Sequence, residues 1–144
     1  MNFDKVIEMS FALYGQNRHR QRCKHFSFIY DKNKLLSIGI NSPKTHPLNL
    51  KYNYLNKQKN KISHIVGTHS ELSAVIKLGF DCEDLILVNT RINRKNEIDY
   101  SFPCNGCMEM IKELKFSKIF YTSKDKKFYC TSPNLECLEY ESIY

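Results

Sequence analysis

The sequence predicts an α/β chain, a three-layer α/β/α sandwich with helices on both faces of a mixed central sheet of about five strands. Three observations carry this. Short apolar runs of strand length alternate with segments of helical period, in the order helix, two strands, then helix and strand twice. The first two strands are separated only by the polar Asp31-Lys-Asn-Lys34, which is turn chemistry and makes a hairpin the simple connection. The chain has 144 residues, 42% of them hydrophobic and 12% aromatic, enough to bury the core of one domain spanning 1–144.

The elements follow in order. Val6, Ile7, Met9, Phe11, Ala12 and Leu13 give a first helix, from about Phe3 to Tyr14, one buried face. Gln16 to Lys24 is basic and polar and reads as a loop. Phe26–Tyr30 and Leu35–Ile40 are the hairpin strands. Asn41 to Lys61 contains Pro43 and Pro47 and shows no sustained period, so it reads as a long surface loop, a kind that is usually functional or disordered. A second helix starts at Thr68 as N-cap, buries Leu72, Ala74, Val75, Ile76 and Leu78, and ends at Gly79. Leu85–Thr90 is an interior strand and Arg91 to Asp99 a polar connection. A third helix opens at Cys104, with Met108, Met110, Ile111 and Leu114 as core residues. Lys118–Thr122 is a strand, Phe128-Tyr129 a short one, and Leu135 to Glu141 a brief helix.

Composition narrows the function. A net charge of +7 and pI near 9.1 favour an anionic partner such as a nucleotide phosphate or a nucleic acid, although solubility alone accounts for them equally well. No apolar run approaches the roughly 18 residues that span a bilayer. The start of the chain has neither the basic residues nor the apolar stretch of a secretory signal, so the expected location is cytoplasmic. Thiols stay reduced there. The six cysteines therefore favour metal ligation or buried thiols over disulfides.

Two segments carry the chemistry: His69-Ser70-Glu71, and Phe102-Pro103-Cys104-Asn105-Gly106-Cys107, whose first cysteine follows His69 by thirty-five positions. Catalytic zinc takes three protein donors and leaves one position open; His69, Cys104 and Cys107 supply three. The Cys-x-x-Cys spacing lets two thiolates from one helical turn reach one ion, and Pro103 fits before that turn because it needs no hydrogen-bond partner there. Both segments open helices, whose positive ends lower thiol pKa values. Glu71, two residues past His69, is better placed to hold a water at the metal than to ligate it. This order of His-x-Glu and Pro-Cys-x-x-Cys is the arrangement of zinc-dependent base deaminases. In such a centre Glu71 takes a proton from water and returns protons to the ring nitrogen and the leaving amine. A structural zinc site would need a fourth ligand from Cys82, Cys130 or Cys137, at spacings that match zinc ribbons poorly.

On these residues the chain resembles the cytidine deaminase-like superfamily. The resemblance is specific at His69–Glu71 and Pro103–Cys107 and looser over Phe26 to Tyr121. It implies the α/β/α deaminase fold, Zn2+ held by His69, Cys104 and Cys107, Glu71 as proton shuttle, and a homo-oligomer. It also implies that Asn41, just after the second strand, contacts the bound nucleoside. Phe102-Pro-Cys-Asn105 and Glu71-Leu-Ser-Ala74 are similar to the deoxycytidylate branch. Ser70 stands where relatives usually have Ala, Ser73 where that branch commonly has Asn, and Asn41–Pro47 differs from its glycine-rich loop, resembling small phage-type deaminases.

Substrate-binding candidates are therefore Asn41, Ser70, Lys44 and His46, the last two bordering the pocket as phosphate grips. Lys51, Lys57, Lys59 and Lys61, with Tyr52 and Tyr54, offer a basic and aromatic surface for single strands. His19, Cys23 and His25 suggest a second metal site that lacks a visible fourth partner. His64 reads as structural. The expected function is zinc-dependent hydrolytic deamination of a cytosine nucleoside or nucleotide, with release of ammonia. Action on a base in single-stranded DNA or tRNA, or a non-catalytic zinc-stabilised binding module, are the alternatives.

Overall fold

A computed structural model of the protein describes residues 1–16, 24–43, 68–133 and 141–142. Their element order is α1 (Phe3–Gln16), β1 (Lys24–Asp31), β2 (Lys34–Ile40), α2 (Ser70–Leu78), β3 (Ile86–Ile92), α3 (Asn105–Glu113), β4 (Lys118–Thr122), β5 (Phe128–Thr131) and β6 (Glu141–Ser142). They build one sheet in the order β2-β1-β3-β4-β5-β6. Only β3 and β4 pair in parallel, joined through α3; every other pair is antiparallel. The sheet is thus mixed, as the sequence predicts, with a sixth strand of two residues at its edge.

Strand periodicity splits the core into two layers. Ile29, Leu87 and Ile119 face α2 and α3, where they pack with Leu72, Val75, Met110, Ile111 and Phe116. Phe26, Phe28, Val88 and Phe128 face the other way and pack with Val6 of α1. Ser10 of α1 meets the β3 residue Thr90, their hydroxyls 2.7 Å apart, which ties that helix to the sheet. On the opposite face α2 lies directly on β2: Ser37 donates to the Ala74 carbonyl at 2.8 Å, and Lys77 Nζ to the Ile38 carbonyl at 3.0 Å. Gly39 permits this approach, because a side chain there would run into the first turns of α2.

Several boundaries differ from expectation. α1 runs on to Gln16. The N-cap of α2 is His69, not Thr68; Thr68 instead exchanges two backbone hydrogen bonds with Ser42, each 2.9 Å. Gly79 ends α2 as expected, at φ 93°, its N–H reaching the Val75 and Ile76 carbonyls. The interior strand starts at Ile86 and continues through Arg91 and Ile92, and Ile92 pairs with Ile98 across a tight turn. The polar connection is therefore a small hairpin. Of the expected helix over Leu135 to Glu141 only Glu141 is described, and it belongs to β6. Among the described residues no helix is long and apolar enough to cross a membrane.

Candidate metal centre

Parallel pairing of β3 and β4 through α3 brings the start of α3 beside the start of α2. His69 and Cys104 are the N-caps of the two helices, both with extended backbone and neither making a side-chain cap bond. Their carbonyls still accept the first helical bonds, from Ser73 N at 3.0 Å and Met108 N at 2.8 Å. The side chains are turned to each other instead. His69 Nδ1 lies 3.4 Å from Cys104 Sγ and 3.6 Å from Cys107 Sγ, and one donor atom from each residue lies within 4.8 Å of the others.

These separations fit zinc. Bond lengths of about 2.3 Å to sulfur and 2.0–2.1 Å to nitrogen, at a tetrahedral angle, put the nitrogen and sulfur of two ligands about 3.5 Å apart. The donors are one imidazole and two thiols, the set zinc favours. Cys107 is fully buried and Cys104 exposed, so the cluster opens to solvent on one side. Among the described residues no other group of three His, Cys, Asp or Glu side chains converges in this way. Cys82 is buried in the core behind α2 and α3, and Cys130 lies on β5; neither joins the cluster as a fourth ligand.

The electrostatics favour metal uptake. The hydrogen bond from Cys107, with that to His69 and the imidazole's charge, draws the Cys104 thiol down to about 5, against its partial desolvation and the charge of Glu71. Burial pulls the His69 imidazole down, but the hydrogen bond and charge of Cys104, with Glu71, outweigh it and hold the ring above its ordinary value. A thiolate is thus available at neutral pH. By contrast, burial and the nearby Asp81 push the Cys82 thiol up to about 11.

Glu71 lies in the first turn of α2 and is 5% exposed. Ser70 Oγ donates to its Oε1 at 2.9 Å and sits 2.8 Å from Ser27 Oγ of β1. Ser27 in turn donates to Asn89 Oδ1 of β3 at 2.7 Å, and Asn89 Nδ2 donates to the Ser101 carbonyl at 3.2 Å. Ser101 and Thr122 complete the run, their hydroxyls 2.9 Å apart. Buried polar groups therefore run across the sheet to the carboxylate, which the Ser70 hydroxyl orients. Ser70, expected among the substrate-binding residues, is 1% exposed; its hydroxyl holds Glu71.

Asn41 stands at the end of β2, its Oδ1 accepting from His25 N at 2.9 Å. It shares with Ser73 and Lys77 a cleft of about 400 Å³ beside the start of α2. His25, expected in a second metal site with His19 and Cys23, lies within electrostatic reach of His69, Glu71, Arg91 and Asp99; burial, with Arg91 and His69, holds its ring below the ordinary value despite the opposing acids. Lys44, His46, Lys51, Lys57, Lys59, Lys61, His19, Cys23, His64 and Cys137 lie outside the described residues. Sequence reasoning missed Ser27, Asn89 and Ser101. Ser27 and Asn89 stand out only as polar residues in otherwise apolar strands, and Ser101 lies outside any strand, so nothing local reveals that the three meet.

A crystal structure of a cytidine deaminase from Burkholderia pseudomallei is similar to this chain, with a TM-score of 0.57 and 13% identity over 92% of this chain and 94% of that one. The chain has the cytidine deaminase-like fold. No protein-family model and no curated protein matches the sequence. The likeness to the deaminase fold is thus one of backbone, and within it the His-Cys-Cys cluster forms a zinc-like triad at the starts of two helices.

Proposed function

We propose that the protein is a zinc-dependent hydrolytic deaminase of a cytosine nucleoside or nucleotide, of cytidine or deoxycytidylate type, that releases ammonia. One observation carries the reading: three zinc-type donors converge beside a buried carboxylate that accepts from the Ser70 hydroxyl and is not one of the three. A structural zinc site has four protein ligands and no use for such a carboxylate. Three donors with an open side and a proton carrier make a hydrolytic centre.

Zinc held by His69, Cys104 and Cys107 would supply Lewis-acid activation of water at neutral pH. Glu71 takes a proton from the attacking water and hands it to the ring nitrogen, then takes the second proton from the hydroxyl that has added to the ring and hands it to the departing amine. Water adds at the amino-bearing ring carbon, the carbon–nitrogen bond breaks, and the products are ammonia and the keto base. Ser70, fixed by Ser27, keeps Glu71 turned toward that carbon through both transfers, so little reorganisation is needed at the moment of reaction. Asn41, held in place by the His25 amide, would contact the bound nucleoside. Phe102, next to Pro103, meets Tyr121 edge-on with centroids 4.9 Å apart and Tyr100 at 6.2 Å, so aromatic rings flank the segment that leads to Cys104. Flat rings beside the metal site suit a planar base.

The test is ammonia release from cytidine and deoxycytidylate by the zinc-loaded protein. Glu71→Gln is expected to lower kcat by about 10²–10⁴ while retaining zinc. A Glu71→Gln protein as active as the original would remove the proposed role of that residue.

A further inference from the structure

Between β3 and α3 the chain forms a short hairpin that the zinc chemistry does not use. We propose that the cleft along this hairpin binds a phosphate carried by the substrate's sugar, which makes the substrate a nucleotide rather than a free nucleoside; this rests on the deaminase reading above.

The first argument is position. Arg91 pairs with His25 across β3 and β1, so their side chains leave the same face of the sheet, the one that carries Leu87, Ile29 and the metal cluster. Asp99 is joined to Arg91 by a backbone bond of 2.9 Å. His25 is within electrostatic reach of Arg91 and Asp99 and also of Glu71 and His69. Arg91, which lines the cleft, therefore shares a sheet face with the metal cluster, and Tyr100 and Phe102 lead along the chain from Asp99 to Pro103 and Cys104.

The second is charge. Arg91, Arg94, Lys95 and Lys124 line a cleft of about 720 Å³ that also contains Glu97 and Asp99. Both acids are engaged: Glu97 lies 3.9 Å from Lys126 Nζ, and Asp99 accepts from the Tyr100 amide at 2.7 Å and from Asn93 Nδ2 at 3.3 Å. The cations outnumber the acids, and two of them are arginines, whose planar fork matches a phosphate. The cleft volume falls within the range of small-molecule sites.

The third is rigidity. Asn93 Oδ1 accepts from the amides of Lys95 and Glu97, at 2.9 and 3.1 Å, and Asn93 N donates to the Glu97 carbonyl at 2.9 Å. Ile92 and Ile98 on either side are buried in the core. Arg94 and Lys95 are therefore presented on a fixed turn, which lowers the ordering cost of binding an anion.

The experiment compares deoxycytidine, its 5′-monophosphate and a short single-stranded oligonucleotide, using the zinc-loaded protein and the double variant Arg94→Glu, Lys95→Glu. Both residues are exposed, so the fold is not at stake. The ratio of kcat/KM for the monophosphate to that for the nucleoside is expected to fall roughly tenfold or more, through KM. Lys118→Glu, a single charge reversal at the far end of β4, leaves that ratio unchanged. An unaltered ratio in the double variant, or an equal fall in Lys118→Glu, overturns the proposal. A fall confined to the oligonucleotide assigns the phosphate to a polymer and overturns the nucleotide form. If no compound is turned over, the deaminase reading fails by itself, and inorganic phosphate still probes the cleft. Shifts of the amides of residues 91–99 in a nitrogen–proton correlation spectrum, lost in the double variant, support it; amides that do not move refute it.

Discussion

Gly39→Ala tests how closely the sheet and α2 are fitted. A Cβ on Gly39 would stand 2.1 Å from the Ser70 carbonyl oxygen, 2.4 Å from Ala74 N and 2.8 Å from Ala74 Cβ. Ordinary contacts to carbon lie near 3.5 Å, so α2 must retreat by about 1 Å. Two of the three obstacles are backbone atoms, which no rotamer change relieves. Overpacking of this kind costs about 1–3 kcal/mol, which lowers the urea midpoint by roughly 1 M at an m-value near 2 kcal/mol/M. The effect on turnover is larger. The retreating segment carries His69 as its cap and Glu71 in its first turn, and about 1 Å of misplacement can cost about 10²-fold in rate. Urea unfolding, zinc content and kcat on one preparation separate the two effects. Adding Ala74→Gly removes only the Cβ contact and is not expected to rescue the variant. A Gly39→Ala protein with unchanged midpoint and turnover would refute the close fit of β2 against α2.

Other consequences are equally direct. Cys104→Ser removes one sulfur donor, and zinc measured by atomic emission is expected to fall well below one per chain after dialysis against a weak chelator; normal retention would overturn the ligand set. In metal-free protein Cys104, drawn down to about 5, is expected to react with iodoacetamide already at pH 6, whereas Cys82, pushed up to about 11 and buried, stays unmodified until strongly basic pH. Peptide mass mapping after a short pulse reads both, and equal labelling at pH 6 would contradict the assigned environments. Ser27→Ala breaks the polar chain between Ser70 and Asn89; a loss of about 1–3 kcal/mol in stability is expected, with kcat falling more than KM rises.

Much of the architecture was legible because local pattern and global fold agree. The period-two runs around Phe26–Tyr30 and Lys118–Thr122 and the helical stripe of Leu72, Ala74 and Val75 each have one reading. The hairpin at Asp31–Lys34 follows from turn chemistry, although Lys32 adopts φ 54° without being glycine. Local pattern failed where tertiary pairing decides. Thr68 is a good cap by residue type, but its backbone is taken by Ser42, and the cap passes to His69. Arg91 looks like the start of a loop, yet pairing with His25 continues the strand. The metal donors were legible because their chemistry needs rare residue types at fixed spacing. The Glu71 support was not, because Ser27, Asn89 and Ser101 are distant in sequence and meet only when β1, β3 and the start of α3 are assembled. Gly39 was invisible for the same reason: nothing in a strand reveals which helix will lie on it.

The central claim is that hydrolysis depends on one zinc at His69, Cys104 and Cys107. Its most direct test is turnover measured while metal-stripped protein is titrated with zinc, with ammonia and the keto product quantified together. Activity is expected to be absent in the stripped protein, to rise in proportion to added metal and to level off at one zinc per chain. Full activity without metal would contradict the account, and so would stoichiometric zinc with no turnover of any cytosine nucleoside, nucleotide or oligonucleotide.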